Sequence, residues 1–291
     1  MLVTLRDLFQ QLMSQERLNF LLTNRIPRRS LTIFMGWFSK IETPFVRDFS
    51  IGLWRRFADI RLEEAKKSNF TSLHDCFIRE LKPGLRPINP DTQILSSPCD
   101  GIVGACGAIN GVQVFQAKGF PYTLIDLIGD ADAVERYREG SYVTIRITSS
   151  MYHRFHAPLD CRVQQVNYIS GDTWNVNPIA LKRVENLFCK NERAVIHTTH
   201  IESGQEVLLV AVAAVLVASI RLHFLDVLLH LRYRGPNLMR CDASFQKGDE
   251  MGWFQHGSTI VVFAPKGFAL CDEIADGTPL LMGQALMRLP E

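Results

Sequence analysis

From Val207 to Ile220 the chain runs through fourteen residues of which only Ser219 is polar, and this run limits the folds open to it. A membrane-spanning helix needs about 20 apolar residues, so a segment this short belongs inside a protein core. Valine recurs along it, and a side chain branched at Cβ favours extended backbone. The run is read as one buried strand, and no segment is expected to cross a membrane.

Shorter β-like segments share that character: Ile102–Val103, Val112–Ala117, Tyr142–Ile147, Arg162–Ile169, Ala194–Thr199 and Thr259–Ala264. Turn residues separate them, as at Asn110-Gly111, Ser170-Gly171-Asp172 and Ser203-Gly204, which is an all-β rhythm. The first 69 residues differ. Leu5, Leu8, Phe9 and Leu12 recur at helical spacing, Leu31–Phe38 is strongly apolar, and Phe45, Phe49, Leu53 and Trp54 alternate with Arg47, Arg55 and Arg56. Pro83, Gly84, Pro87 and Pro90 mark an extended connection after them. The expectation is therefore an α+β chain, mainly β, in two parts: a helical segment over 1–69 and a β-rich body over 70–291 with a barrel-sandwich-like fold.

Charge divides along the same line. The whole chain of 291 residues carries a formal net charge of +2, which gives no case for nucleic-acid binding. Residues 1–69 alone hold 12 Lys/Arg against 7 Asp/Glu, so the basic excess sits among the helices. Large apolar groups interleaved with arginines suit an interfacial helix, with rings among acyl chains and cations at headgroups. They suit equally a set of helices packed on their own core with arginines in water. Seven scattered cysteines without a C-x-x-C pair argue for free thiols in a reducing compartment, and the N-terminus lacks a secretory layout.

Three stretches carry candidate chemistry. Ser97-Pro98-Cys99-Asp100-Gly101 sets a carboxylate in a tight turn before a strand. Tyr152-His153-Arg154-Phe155-His156-Ala157-Pro158 offers two imidazoles that titrate near neutrality, without the acidic residue of a zinc-binding H-E-x-x-H helix. His197 and His200 repeat that spacing with nothing around them and are taken as a surface or structural pair. The third stretch, Gly252-Trp253-Phe254-Gln255-His256-Gly257-Ser258-Thr259, runs into the apolar Ile260–Phe263. Glycine leaves the Gly257 carbonyl open to the Ser258 hydroxyl. With a base present, Oγ attack converts the amide to an ester, and β-elimination followed by hydrolysis leaves a pyruvoyl group and ammonia.

Taken together, these stretches resemble the phosphatidylserine decarboxylases, the pyruvoyl enzymes of bacteria and mitochondria. The resemblance runs almost end to end, through Phe77-Ile78-Arg79-Glu80-Leu81-Lys82-Pro83-Gly84, the Asp100 turn, Gln116-Ala117-Lys118-Gly119-Phe120-Pro121-Tyr122 and the Tyr152–Pro158 motif. Val176-Asn177-Pro178, Asn191-Glu192-Arg193, Lys247-Gly248-Asp249-Glu250-Met251-Gly252 and His256-Gly257-Ser258-Thr259 complete it.

The resemblance implies a zymogen of phospholipid biosynthesis. Asp100, His156 and Ser258 would form the charge relay for autocatalytic cleavage between Gly257 and Ser258, giving a β chain of residues 1–257 and an α chain of 34 residues. Residue 258 becomes the covalent pyruvoyl cofactor and forms a Schiff base with phosphatidylserine. Decarboxylation and release of phosphatidylethanolamine follow, with His153 the candidate proton donor and no metal. The resemblance also implies peripheral attachment to an anionic membrane surface, on the cytoplasmic face of the cell membrane in a bacterial setting, and a homodimer. His256, Met151, Cys161, Cys76 and Arg221-Leu222-His223-Phe224 depart from the usual family residues, and none removes a group the chemistry needs. Two other readings fit the same residues: a noncatalytic barrel-sandwich binding or carrier module, and a His-ligated zinc hydrolase with Ser258 as a lasting nucleophile.

Overall fold

The computed structural model describes residues 11, 14–117, 120–216, 218–255 and 258–290. The expected Leu5–Leu12 periodicity lies outside the described residues, as do Lys118, Gly119, His256 and Gly257. Three helices lead, α1 (Glu16–Asn24), α2 (Arg28–Phe38) and α3 (Pro44–Phe57). Pro44 stands at the start of α3, where its missing N–H costs nothing, and Arg55 and Arg56 end it at the negative pole of the helix dipole. Short helices follow: α4 (Leu73–Phe77), α5 (Leu124–Ile128), α6 (Ala131–Tyr137), α7 (Pro178–Leu181) and α8 (Leu187–Lys190). The Ser72 hydroxyl caps α4, and Thr123 caps α5.

The strands are β1 (Ile94–Ser96), β2 (Gly101–Ala108), β3 (Gln113–Ala117), β4 (Phe120–Thr123), β5 (Ser141–Ile147), β6 (Arg154–His156), β7 (Cys161–Ile169), β8 (Arg193–His200), β9 (Glu206–Ala213), β10 (Ser219–Leu222), β11 (Val227–His230), β12 (Leu238–Phe245), β13 (Glu250–Gln255), β14 (Ser258–Ala264), β15 (Ala269–Leu270), β16 (Pro279–Leu280) and β17 (Ala285–Arg288). An eight-stranded sheet in the order β12-β7-β8-β9-β14-β5-β2-β16 forms the body, with a four-stranded sheet β11-β10-β13-β6, a three-stranded sheet β1-β17-β15 and a hairpin β3-β4. Because strand side chains alternate, the large sheet has two apolar faces. Ile145, Ile147, Ala211, Ala213, Ile260 and Val262 pack against Phe155, Ile220, Met251 and Phe254 of the four-stranded sheet. Val210, Val212, Val261 and Phe263 pack on the other side against Leu124, Leu127, Tyr137 and Phe188. Strand β14 is buried along its whole length, which is why Ile260–Phe263 is uniformly apolar rather than alternating.

The architecture is α+β and mainly β, with helices leading, as expected; among the described residues the large sheet does not close into a barrel, and β12 and β16 are its edges. The β12 edge carries the exposed Arg162–Asp242 ion pair, the kind of charge that keeps an edge solvated. One expectation is corrected: the run Val207–Ile220 is not one strand. It ends β9 at Ala213, turns through Leu216 and Ala218 at positive φ of 90° and 36°, and re-enters the other sheet as β10. Strand β13 of the same sheet ends at Gln255, and β14 of the large sheet begins at Ser258. Ala213 pairs with Ser258, and Ser219 pairs with Gln255.

The leading helices rest on the body through polar contacts. Arg28 pairs with Asp172 at 2.6 Å and lies over the Trp174 ring, and the Asn24 side chain accepts the Asn175 N–H at 3.1 Å. Their outer faces are apolar: Phe34, Trp37, Phe45, Phe49 and Leu53 are all exposed, Phe45 by 79%.

Candidate active site

Ser258 opens β14 between β9 and β5 and is fully buried. Its side chain points, with those of Ile260 and Val262, into the space between the two larger sheets. The Ser258 hydroxyl has no hydrogen-bond partner among the described residues. Leaving a buried hydroxyl without a bond costs about 1–3 kcal/mol.

His153 stands just before β6. The Phe254 N–H donates to its carbonyl over 2.9 Å, so this histidine borders the end of β13 that leads to Ser258. The ring is fully buried and lies against Phe77, with centroids 4.0 Å apart. Its Nδ1 donates to the Met151 carbonyl at 2.9 Å, which leaves Nε2 as the basic nitrogen of the neutral ring. Arg79 braces this corner by donating to the Ser150 carbonyl at 2.9 Å. Arg154 donates to the Ile78 carbonyl and to Glu250. The Phe77–Glu80 stretch thus supports the histidine strand.

His156 lies at the other end of β6, opposite Glu250. Phe254 lies four positions along β13 from Glu250, roughly 13 Å of strand. The His156 N–H donates to the Pro98 carbonyl at 2.8 Å, which brings it to the turn that carries Asp100. Its Nδ1 donates to the Gly248 carbonyl at 2.9 Å, and Nε2 accepts the Tyr152 hydroxyl at 3.0 Å. Burial, partly offset by the Gly248 bond, pushes its pKa below the ordinary histidine value and keeps Nε2 an acceptor at neutral pH.

Asp100 is buried and fully engaged. Arg86 meets it in a bidentate pair, Nε to Oδ1 at 2.8 Å and Nη2 to Oδ2 at 2.6 Å, and the Met282 N–H donates to Oδ1 at 2.9 Å. Arg86 also donates to Glu64 at 2.9 Å. Gly101 follows because β2 approaches β5 closely: a Cβ there would stand 2.4 Å from Ile145 Cγ2. A cleft of about 500 Å³ lined by Arg86, Tyr152, Arg154 and Glu250 opens above these groups.

The structure therefore brings His156 near the Asp100 turn and His153 toward the Ser258 end of β13. It forms no hydrogen bond among Asp100, His156 and Ser258. Gly257, the other side of the expected cleavage point, lies outside the described residues.

One acidic residue near Ser258 was visible in the sequence only as part of Asn191-Glu192-Arg193. The Ala213 N–H donates to the Glu192 carbonyl at 2.9 Å, and Ala213 pairs with Ser258. Glu192, Ala213 and Ser258 thus form one cross-strand row, and Glu192 shares the sheet face of Ala194 and Ile196, which is the face of Ser258. Tyr168 donates to Glu192 Oε1 at 2.8 Å, while Oε2 is buried with no partner among the described residues. Burial, only partly offset by the Tyr168 bond, pushes its pKa up to about 7.

A family model described as phosphatidylserine decarboxylase matches residues 73–288. Curated relatives carrying the name phosphatidylserine decarboxylase proenzyme align along almost the whole chain. The Haemophilus influenzae protein is 34% identical over 274 residues, covering 90% of this chain and 92% of its own. The Vibrio cholerae protein is 33% identical over 273 residues, covering 89% and 94%. The protein from Saccharophagus degradans is 33% identical over 277 residues, covering 91% and 94%.

Proposed function

The chain belongs to the phosphatidylserine decarboxylase family, as a proenzyme of the bacterial type, and from that membership we propose how its residues divide the work. The family's reaction is a carboxy-lyase step that converts phosphatidylserine to phosphatidylethanolamine on a serine-derived pyruvoyl group. The observation that carries the residue assignment is the Ser258 hydroxyl, buried, without a partner among the described residues, and first in β14. A serine that is to become part of a prosthetic group needs a dry site and a hydroxyl committed to no other bond, and Ser258 has both.

Processing begins when a base takes the Ser258 proton and Oγ attacks the carbonyl of Gly257. Elimination across Cα–Cβ of residue 258 then frees the Gly257 carboxylate and ends the β chain there. Strand β14 pairs with β5 and β9 along its length, so backbone hydrogen bonds retain the 34-residue α chain after the break. By the family motif the base is His156, with Asp100 favouring its cationic form. A second reading makes His153 the base in processing as well, because the Phe254 bond holds it nearer Ser258 along the strand register.

Once formed, the pyruvoyl group supplies a ketone for the substrate amine and an electron sink for the departing carboxylate's electrons. His153, once protonated at Nε2 to the imidazolium, gives that proton to the substrate α-carbon in place of the carboxylate and returns to the neutral ring. The closed packing of Phe77, Phe155 and Phe254 around this corner keeps water from that step. Residues 1–69 serve as the membrane-associating part, with Phe34, Trp37, Phe45, Phe49 and Leu53 entering the interface. Each nearby Lys or Arg contributes about 1 kcal/mol on an anionic leaflet. No described helix is long and apolar enough to cross a membrane.

Intact mass of purified full-length protein, paired with an assay on dihexanoyl phosphatidylserine, tests this. The expected result is two chains split before residue 258, with a blocked N-terminus on the small one. Active protein with an unbroken chain would overturn the reading.

A further inference from the structure

Beneath α2 a cavity of about 400 Å³ opens on the outer face of the four-stranded sheet. Its floor is Ser219 and Gln255, which alternate with the core residues Ile220 and Phe254 and so point away from the core. The two are locked together, the Ser219 hydroxyl donating to Gln255 Oε1 at 2.7 Å. Gln255 is the last residue of β13, three positions before Ser258 in the chain.

The walls differ in kind. Ile33 and Trp37 of α2 and Leu231 make an apolar side, while Lys40 and Arg232 stand at the rim. Neither cation forms an ion pair with a carboxylate of the described residues. Their effect falls on nearby imidazoles instead. Burial first, and then Lys40 and Arg232, lower the pKa of His230. Burial first, and then Lys40, push His74, beside Gln255, down to about 4. Two exposed cations on one cavity, with no carboxylate of the described residues paired to either, suit an anionic ligand.

We propose that this cavity holds the phosphodiester and upper acyl-glycerol part of the lipid substrate, with Lys40 and Arg232 on the phosphate and the Ser219–Gln255 floor leading the serine head toward residue 258. The inference rests on the decarboxylase reading above. An apolar wall beside a cationic rim suits an amphiphile whose one anionic group joins a greasy part to a small polar head. The bilayer side agrees, because Phe34 and Trp37 on the same helix are exposed by 50% and 63%. A lipid lying against α2 enters the cavity without leaving the interface.

The test is steady-state kinetics on the processed full-length enzyme with soluble dihexanoyl phosphatidylserine, beside calorimetric binding of the product dihexanoyl phosphatidylethanolamine. The Lys40→Ala/Arg232→Ala double variant should still be cleaved before residue 258 by intact mass. It should raise KM and weaken product binding by roughly 10- to 100-fold, the worth of a charge-assisted hydrogen bond or two. Its kcat should change by less than about threefold, since the lost contact is made equally in ground and transition states. Inorganic phosphate should compete with substrate in the parent and hardly at all in the variant, and Lys40→Arg/Arg232→Lys should recover most of the loss. An unchanged KM would overturn the proposal. So would a defect seen with anionic vesicles but not with the dihexanoyl lipid, which would assign both cations to the membrane surface. A parent chain that stays unbroken before residue 258 would instead sink the decarboxylase reading.

Discussion

The Phe254 N–H and the His153 carbonyl are hydrogen-bonded at 2.9 Å, and this bond ties the histidine strand to the segment that leads to Ser258. His156, three residues on, serves the opposite end of the same strand pair. The two imidazoles of one short motif thus occupy separate environments and should separate on mutation.

Ser258→Ala should leave the chain uncleaved, because no other atom can attack the Gly257 carbonyl. His156→Ala should also stay uncleaved. His153→Ala should cleave yet lose decarboxylation by about 10²–10⁴-fold, the usual worth of a positioned acid. Intact mass and product assay on the three variants decide the matter. A His153→Ala chain that stays intact would transfer the processing base to His153.

Arg86 and Asp100 form a buried bidentate pair. Arg86→Ala leaves a carboxylate in the interior with only the Met282 N–H, and removing one partner of a buried pair costs about 3–5 kcal/mol. The melting temperature should fall by on the order of 10 °C. Asp100→Asn added to Arg86→Ala should recover part of it, which a double-mutant cycle by calorimetry would measure.

Glu192 should make stability depend on pH with a definite sign. Its folded pKa, about 7, lies above the ordinary 4.5, so the folded state favours the protonated form. The associated stability is fully present below about pH 4.5 and is lost as pH rises through 7, a change of about 3 kcal/mol. Glu192→Gln keeps the Tyr168 hydrogen bond and cannot ionise. Denaturant titrations should show the variant gaining on the parent steadily from pH 4.5 to 7.5; a constant difference would refute the raised pKa.

The exposed Phe45–Phe49 pair, with ring centroids 6.3 Å apart, is expected to enter the lipid interface. Phe45→Glu/Phe49→Glu should reduce sedimentation with anionic vesicles by about tenfold or more, since two buried rings contribute several kcal/mol. Turnover of dihexanoyl phosphatidylserine should stay near the parent's. Parent binding should weaken as salt rises, because the cationic share is screened.

Much of this protein was legible in order along the chain. The apolar Ile260–Phe263 announced a strand, Gly257-Ser258 a hydroxyl beside an open carbonyl, and Tyr152–Pro158 two titratable rings. These are local matters, settled by side-chain type and spacing. Even so, the Val207–Ile220 run misled, because it turns through Leu216 and Ala218 at positive φ without a glycine, proline or asparagine to mark the place.

What only the tertiary structure decided are relations between residues far apart in sequence. Arg86 neutralises Asp100 from fourteen residues away. Glu192 reaches the row of Ser258 through Ala213, and Lys40 and Arg232 line one cavity although about two thirds of the chain length separates them. Residue types identify which groups can hold a charge or give up a proton. Which of them end up bonded, buried or left without a partner depends on strand register and sheet packing, and those follow from the free energy of the whole fold.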